Sequence, residues 1–186
     1  MKKLFSLLLA LCCVLALTPV IAEETSTEVI EMPPLQLPMT LEAYQQGYEA
    51  VIALIAPDAT ITWTDSTSDD VEAKMAIIND SFIGVIVLPV DGMVSELAVL
   101  VQSTLDEDTL TSFLSMSACA GAPLLISEEI DAEAAVNAFV SEIYTVFITV
   151  ASGDTADDIY TLPGTITISD AGDGSYQYYF ALKPMY

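Results

Sequence analysis

The chain has 186 residues, with 27 acidic side chains, four basic side chains, no histidine and a formal net charge of −23. Phosphate backbones and anionic lipid surfaces are bound by lysine and arginine, so this composition excludes a nucleic-acid partner and disfavours an anionic membrane surface. Without histidine, the chain lacks the ligand of an imidazole zinc site and the base of a Ser-His or Cys-His nucleophile.

Residues 1–22 have the three parts of an export signal: two lysines, an apolar run and a small-residue cleavage site ending at Ala22. The apolar run stops at Thr18, short of the roughly 20 residues that span a bilayer, so we expect cleavage and no stable membrane insertion afterwards. A lipoprotein is not expected, because Cys12 follows Leu11 and not a small residue. The protein is predicted to be secreted, at the cell surface or periplasmic.

Removal of this signal would leave 164 residues of the 186, which suits one domain with a proper core. It would also leave two lysines, Lys74 and Lys183, against 27 acids, a net charge of −25. We interpret this charge as a source of solubility in an exposed compartment. Cys119 would be the one remaining cysteine, so a disulfide framework is excluded, and its small neighbours predict a buried thiol.

The first segment after the signal, residues 23–38, is acidic and proline-rich and follows no helical or strand period, which predicts a flexible tether. Residues 39–186 are predicted to form a single α+β domain. A helix is expected to begin at Thr40 and to end before Pro57, because apolar residues recur at steps of three and four. They are Leu41, Tyr44, Tyr48, Val51, Ile52 and Ile55.

Four strand-like segments follow. "ATITWT" and "VEAKMAI" alternate with a period of two and are separated by an acidic stretch, "DSTSDD", which is predicted to be a loop. "FIGVIVLPV" and "MVSELAVLV" are separated by Asp91-Gly92, a strong signal for a two-residue hairpin. Pro89 cannot donate to a ladder and is expected at an edge or beside the turn. An antiparallel meander is therefore predicted over residues 60–102.

Two helices are predicted next. Thr104, with Glu107 three residues later, resembles a capping box and predicts a helix through about Ala118. Asp131 is predicted to start the longest helix, in which apolar residues cover so much of the circumference that we expect burial on most sides. They include Val136, Phe139, Val140, Ile143, Tyr144 and Phe147.

The last segment, "TITISDAGDGSYQYYFAL", is consistent with a hairpin or with a calcium loop. The third and twelfth positions counted from Asp170 are Gly172 and Ala181, which cannot supply the carboxylates of a helix-loop-helix calcium site, so the hairpin is favoured. Alternation places Tyr179 on one face of the second strand, and the core is expected on the other face. The residues of that expected core face are Tyr176, Tyr178, Phe180 and Leu182.

The predicted fold class is α+β: an antiparallel β-meander packed against two to three helices, with a C-terminal β-hairpin. Acidic groups are expected in loops or in the first turns of helices, where they cap free amides. A weak calcium site built from two such loops is a further hypothesis, and no other cofactor is expected. The groups are Asp65 with Asp69 and Asp70, residues 106–108, Glu128 with Glu129 and Asp131, and Asp154 with Asp157 and Asp158.

The predicted function is that of an exported, non-catalytic binding or interaction module. No catalytic residue is assigned, and Trp63, Tyr160 and Tyr179 are the ligand-binding candidates because such rings offer rigid area with a polar group. The expected partner is a protein, a peptide or a glycan, and self-association through sheet edges is a further expectation. Two alternatives are a small secreted carboxylate-dependent hydrolase and a calcium-stabilised structural domain.

Overall fold

The computed structural model describes residues 35–68, 71–152, 158, 159 and 162–183. These residues form three α-helices, one 3-10 helix and one seven-stranded antiparallel sheet, so the predicted α+β class is confirmed. The helices are α1 (Leu41–Ile55), α2 (Glu107–Gly121) and α3 (Ala132–Ala151), with the 3-10 helix Ala122–Leu125 after α2. The strands are β1 (Ile61–Ser68), β2 (Val71–Ile78), β3 (Phe82–Val90), β4 (Met93–Ser103), β5 (Asp158–Ile159), β6 (Leu162–Asp170) and β7 (Tyr176–Leu182).

The strand order in the sheet is β1-β2-β3-β4-β7-β6-β5. The first four strands form the predicted meander, and the C-terminal hairpin joins it through β7, which pairs with β4. Asp91 and Gly92 connect β3 to β4 with φ angles of 51° and 78°, as a two-residue turn with positive φ at both positions requires. Pro89 lies beside this turn, at an irregularity in the β3–β4 ladder.

The prediction of a loop at residues 65–68 is wrong. These residues continue β1 and pair with β2 as far as Ser68 opposite Val71. Hydroxyl-bearing, β-branched residues favour strands, and Lys74 lies opposite Asp65 with its Nζ 2.5 Å from the carboxylate. The cross-strand ion pair therefore stabilises a segment whose composition resembles a loop. Asp69 and Asp70 lie outside the described residues.

Helix α1 forms as predicted, since Thr40 is its N-cap and the Thr40 hydroxyl accepts a hydrogen bond from the amide of Ala43 at 3.2 Å. Its buried residues are Tyr44, Tyr48, Val51, Ile52 and Ile55. Residues 23–34 of the predicted tether lie outside the described residues. Leu35 and Leu37, from the end of that segment, pack against the core.

The capping box predicted for α2 is wrong, because the N-cap is Asp106. Its carboxylate accepts from the amide of Thr109 at 2.8 Å, and the hydroxyl of Thr104 donates to the same carboxylate. A carboxylate next to the first free amides also interacts favourably with the helix dipole. The predicted buried thiol is confirmed, since Cys119 lies near the end of α2 and is buried.

Helix α3 begins after Asp131, whose carboxylate caps it as predicted by accepting from the amide of Ala134 at 2.9 Å. The expectation that α3 is buried on most sides is wrong. Its inner side packs on α2 and the 3-10 helix, whereas Tyr144 and Ile148 are 43% and 58% exposed. The sequence pattern could not separate the two sides, because both are apolar.

All three helices lie on one face of the sheet. Phe113 of α2 contacts Tyr178 of β7, with ring centroids 5.6 Å apart, and Tyr48 of α1 contacts Trp63 of β1. Tyr178, Phe180 and Leu182 are fully buried beneath the helices, which confirms the predicted core face of β7. The fold therefore has two layers, with the core between the helices and one side of the sheet.

The C-terminal hairpin has the predicted turn between β6 and β7. Asp170 lies opposite Tyr176, and its carboxylate accepts from the amide of Gly172 at 2.7 Å. The carboxylate of Asp173 accepts from the amide of Ser175 at 2.9 Å. Both aspartates therefore use their oxygens to hold the turn.

Candidate functional site

The ligand-binding candidates lie on opposite faces of the sheet. Trp63 belongs to the row that continues through Ala76 and Val85, which faces the helices. Tyr179 lies two residues from Ala181 on β7, so both side chains are on the same face of the sheet. That face is opposite to the face on which Trp63 lies. Trp63 and Tyr179 therefore cannot contact one ligand together, and the third candidate, Tyr160, lies outside the described residues.

Trp63 packs within the fold. Its ring meets that of Tyr48 edge to face, with centroids 5.8 Å apart. The indole Nε1 donates to the carboxylate of Glu49 on α1 at 2.9 Å. Both the apolar surface and the one donor of Trp63 are thus used to attach α1 to β1.

Tyr179 lies on the face of the sheet that no described helix covers. We call this surface the open face, and the register of the six longer strands identifies its residues. Its centre includes Met75, Ile77, Ile86, Leu88, Glu96, Ala98, Leu100, Tyr179 and Ala181. Its hydroxyl and amide rim consists of Thr62, Thr64, Gln102, Thr165, Thr167, Ser169 and Gln177.

The centre of the open face is apolar and partly accessible. Leu100 is 43% exposed, and Ile86, Leu88 and Met75 are half-buried. Ala98 and Ala181, which lie between these longer side chains, are buried. A continuous apolar surface of this kind is uncommon on a monomeric protein and is typical of interaction sites.

A polar group lies at one end of the open face. The Lys183 ammonium lies 3.4 Å from the Glu96 carboxylate, and the Tyr179 hydroxyl lies near enough to that carboxylate to feel its charge. Partial burial, followed by the nearby Glu96 charge, raises the pKa of Tyr179. Tyr179 is therefore a neutral donor at neutral pH, and Glu96 is neutralised by one of the two lysines that follow the predicted signal.

The helix side of the sheet contains a small cavity of about 40 Å³ between α1, α2 and the turn that connects β2 to β3. Its lining is almost entirely apolar and includes Tyr48, Phe82 and Cys119. Burial raises the pKa of Tyr44 and of Tyr48, so both remain neutral hydroxyls, and Tyr44 donates to the carbonyl of Ala120 at 2.7 Å. These groups stabilise the core, and the cavity is too small for a substrate of drug size.

The acidic groups within the described residues act mainly as caps and turn formers, as Asp106, Asp131, Asp170 and Asp173 illustrate. In this part of the chain no three acidic or cysteine side chains come together in a way that could hold a metal ion. Hydrogen bonds from Thr104 and from Ser175 lower the pKa of Asp106 and of Asp173 respectively. The calcium hypothesis stays a prediction, because Asp69, Asp70, Asp154 and Asp157 lie outside the described residues.

Helix α3 is long and apolar enough to cross a membrane, judged by length and composition alone. The core helix of a soluble protein satisfies the same criterion. In this fold α3 is attached to the other helices by Phe139 and Ile143, both fully buried. The ring of Phe139 lies so close to Gly121 of α2 that an added Cβ would be 2.3 Å from it. The tight contact indicates a helix packed against its neighbours.

Sequence reasoning missed Glu96, Leu100 and Lys183 as neighbours of Tyr179. Period-two alternation in "MVSELAVLV" already places Glu96, Ala98 and Leu100 on one side of a strand. Their contact with Tyr179 depends on the pairing of Leu100 with Tyr179 across 79 positions of sequence, which alternation does not specify.

In comparisons with known proteins, no protein-family model, no curated protein and no solved structure matches this chain.

Proposed function

We propose that the chain is an exported, non-catalytic interaction module that binds a macromolecular partner through the open face of its sheet. Export rests on the sequence pattern of residues 1–22. One observation carries the binding role: an apolar, almost uncharged sheet face without a helix over it among the described residues, in a chain with a net charge of −23. Such a surface is costly in water unless a partner covers it.

The polar atoms of the open face favour binding over catalysis. Its one carboxylate, Glu96, is paired with Lys183. A glycosidase-type hydrolase requires a second carboxyl with a raised pKa, whereas among the described residues the carboxyls with a shifted pKa, Asp106 and Asp173, have it lowered. Both belong to local caps and turns.

A glycan is the less suitable ligand for this surface. Sugar-binding surfaces combine aromatic stacking with free hydrogen-bonding groups, and the open face presents one aromatic ring, Tyr179. The hydroxyl of that ring lies beside the charge of Glu96. An apolar protein surface needs neither feature and would gain by covering Leu100 and Ile86.

Site-specific photo-crosslinking in the exporting cell tests this proposal. A photoreactive amino acid at position 100 is compared with the same amino acid at position 54, because Leu100 and Leu54 are 43% and 45% exposed and lie in different layers. We expect discrete intermolecular adducts from position 100 and none from position 54. The absence of such adducts at position 100, or the same adducts from both positions, would contradict the proposal.

A further inference from the structure

We propose that the partner on the open face is a second copy of this chain, so that two sheets pack face to face as a β-sandwich. This inference rests on the function proposed above, because it names the occupant of the same surface. Aligned packing of two apolar sheet faces about 10 Å apart is a common arrangement in proteins. The observations that favour this partner are the charge, the area, the relief and the polar contacts of the open face.

Charge limits where two copies can meet. The chain carries −23, so contact through most of its surface would bring like charges together. The centre and rim of the open face include one acid, Glu96, whose charge is offset by Lys183. Two copies can therefore approach through this face without net repulsion between the contacting residues. A basic partner would instead be attracted to the acidic loops and helix ends.

The area is sufficient for a dimer. Six adjacent strands spaced about 4.8 Å apart, each roughly 25 Å long, give the open face an area of about 700 Å². A standard stable interface buries about 800 Å² on each partner. The two areas are similar, so a second copy could cover the whole open face.

The relief of the open face suits pairing with itself. Ala98 and Ala181 lie side by side on β4 and β7 and are buried among the longer side chains of the same face. The next row on one side contains the paired residues Leu100 and Tyr179, which form a ridge. Across a two-fold axis, the ridges of the two copies can lie beside each other, as side chains of packed sheets interdigitate.

The charged carboxylate in the centre of the open face needs no partner from the other copy. The carboxylate of Glu96 is paired within the chain with the Lys183 ammonium. A group that is already paired loses less when a partner excludes water than one left unpaired. The open face can therefore be covered by an apolar surface without leaving a lone buried charge.

Sedimentation of purified residues 23–186, which contain every described element, tests the inference. Leu100→Glu adds a charge to the centre of the open face, and Leu54→Glu is the matched control on α1. From about 1 µM to about 500 µM, we expect the unmodified chain and Leu54→Glu to pass from monomer to dimer mass. Leu100→Glu is expected to weaken the dimer at least about tenfold.

Thr167→Glu provides a second charged variant on the exposed rim of the same face, and circular dichroism verifies that each variant is folded. If Leu100→Glu fails to fold, Thr167→Glu decides the outcome. A chain that remains monomeric at the highest concentration would overturn the inference. A dimer unaffected by the folded open-face variants would also overturn it, because the contact would then lie at another surface, such as the β1 edge.

Sedimentation and crosslinking together distinguish failure of the proposed dimer from failure of the proposed function. If the purified chain is monomeric while position 100 crosslinks to a different protein in the cell, the inference fails and the interaction module stands. If position 100 gives no intermolecular adduct, both fail. An adduct to residues of the same chain before position 35 would also overturn both, because the face would then be covered from within. An adduct joining position 100 to a second copy would support both.

Discussion

At the scale of single residues, two aromatic side chains, Trp63 and Tyr179, take different positions in the fold. Trp63 and Tyr179 have similar sequence surroundings, each in a strand with alternating polarity. Trp63 nevertheless packs beneath α1 against Tyr48, whereas Tyr179 lies on the open face beside Glu96. The type of residue made both rings candidates for ligand binding, and only the pairing of strands determined which face of the sheet each ring occupies.

Asp106 allows a pH-dependent test of its capping role. Hydrogen bonds from Thr104 and Thr109 hold its pKa below the ordinary value of 3.8, so the folded state favours the carboxylate. The resulting stability is present above the ordinary pKa and is lost as the pH falls through the lowered value. Since Asn also caps helices, Asp106→Asn is expected to destabilise the chain more at about pH 7 than at about pH 2.5.

Urea unfolding at the two pH values measures this effect. Asp58→Asn removes the same charge from the turn after α1, away from a helix N-terminus, and is the control for total charge. A loss of unfolding free energy that is the same at both pH values for Asp106→Asn would show that the charge of the cap is unimportant.

At the scale of elements, patterns within one segment were predictable. The spacing of Tyr44, Tyr48 and Val51 predicted the buried side of α1, and the alternation of Tyr178 and Phe180 predicted the buried side of β7. Each pattern depends on neighbours three, four or two positions apart. The sequence could also place the Asp91-Gly92 turn, because its positive φ angles favour those residue types.

Patterns that depend on distant segments were not predictable. In β2, Met75 and Ile77 on one side and Ala76 and Ile78 on the other are all apolar, so alternation could not show which side the helices cover. The structure buries Ala76 and Ile78 and turns Met75 to the open face. Coverage depends on where α1 and α2 pack, which involves contacts far apart in sequence.

Helix α3 has a buried side and an exposed side, and matched substitutions can compare the two. Ile143 is fully buried and Ile148 is 58% exposed, five residues further along the same helix. Ile143→Ala should lower the free energy of unfolding by about 2–5 kcal/mol, because it leaves a cavity in the core. Ile148→Ala should change it by less than about 0.5 kcal/mol.

Chemical denaturation of both variants at one protein concentration makes this comparison. Both substitutions replace Ile by Ala in the same helix, so the change in helix propensity is similar and cancels. Equal losses of stability would contradict the description, because Ile148 would then have to be covered as fully as Ile143.

At the scale of the whole molecule, charge and apolar surface are separated. The acids cap helices, hold turns and pair across β1 and β2, as Asp131, Asp173 and Asp65 do. The centre of the open face contains one acid, paired with a lysine. This separation agrees with the proposal that the charged surface favours solubility and that the open face associates with a partner.

The accessibility of a cysteine on the open face tests most directly whether a partner covers this face in the cell. Leu100→Cys and the control Leu54→Cys are labelled with a thiol reagent, first as dilute purified chain and then in the exporting cell. The unmodified chain, in which Cys119 is buried, gives the background. We expect rapid labelling of position 100 in the dilute chain and protection in the cell, with position 54 labelled in both. Protection of position 100 in the dilute chain, or equal labelling in both settings, would contradict this expectation.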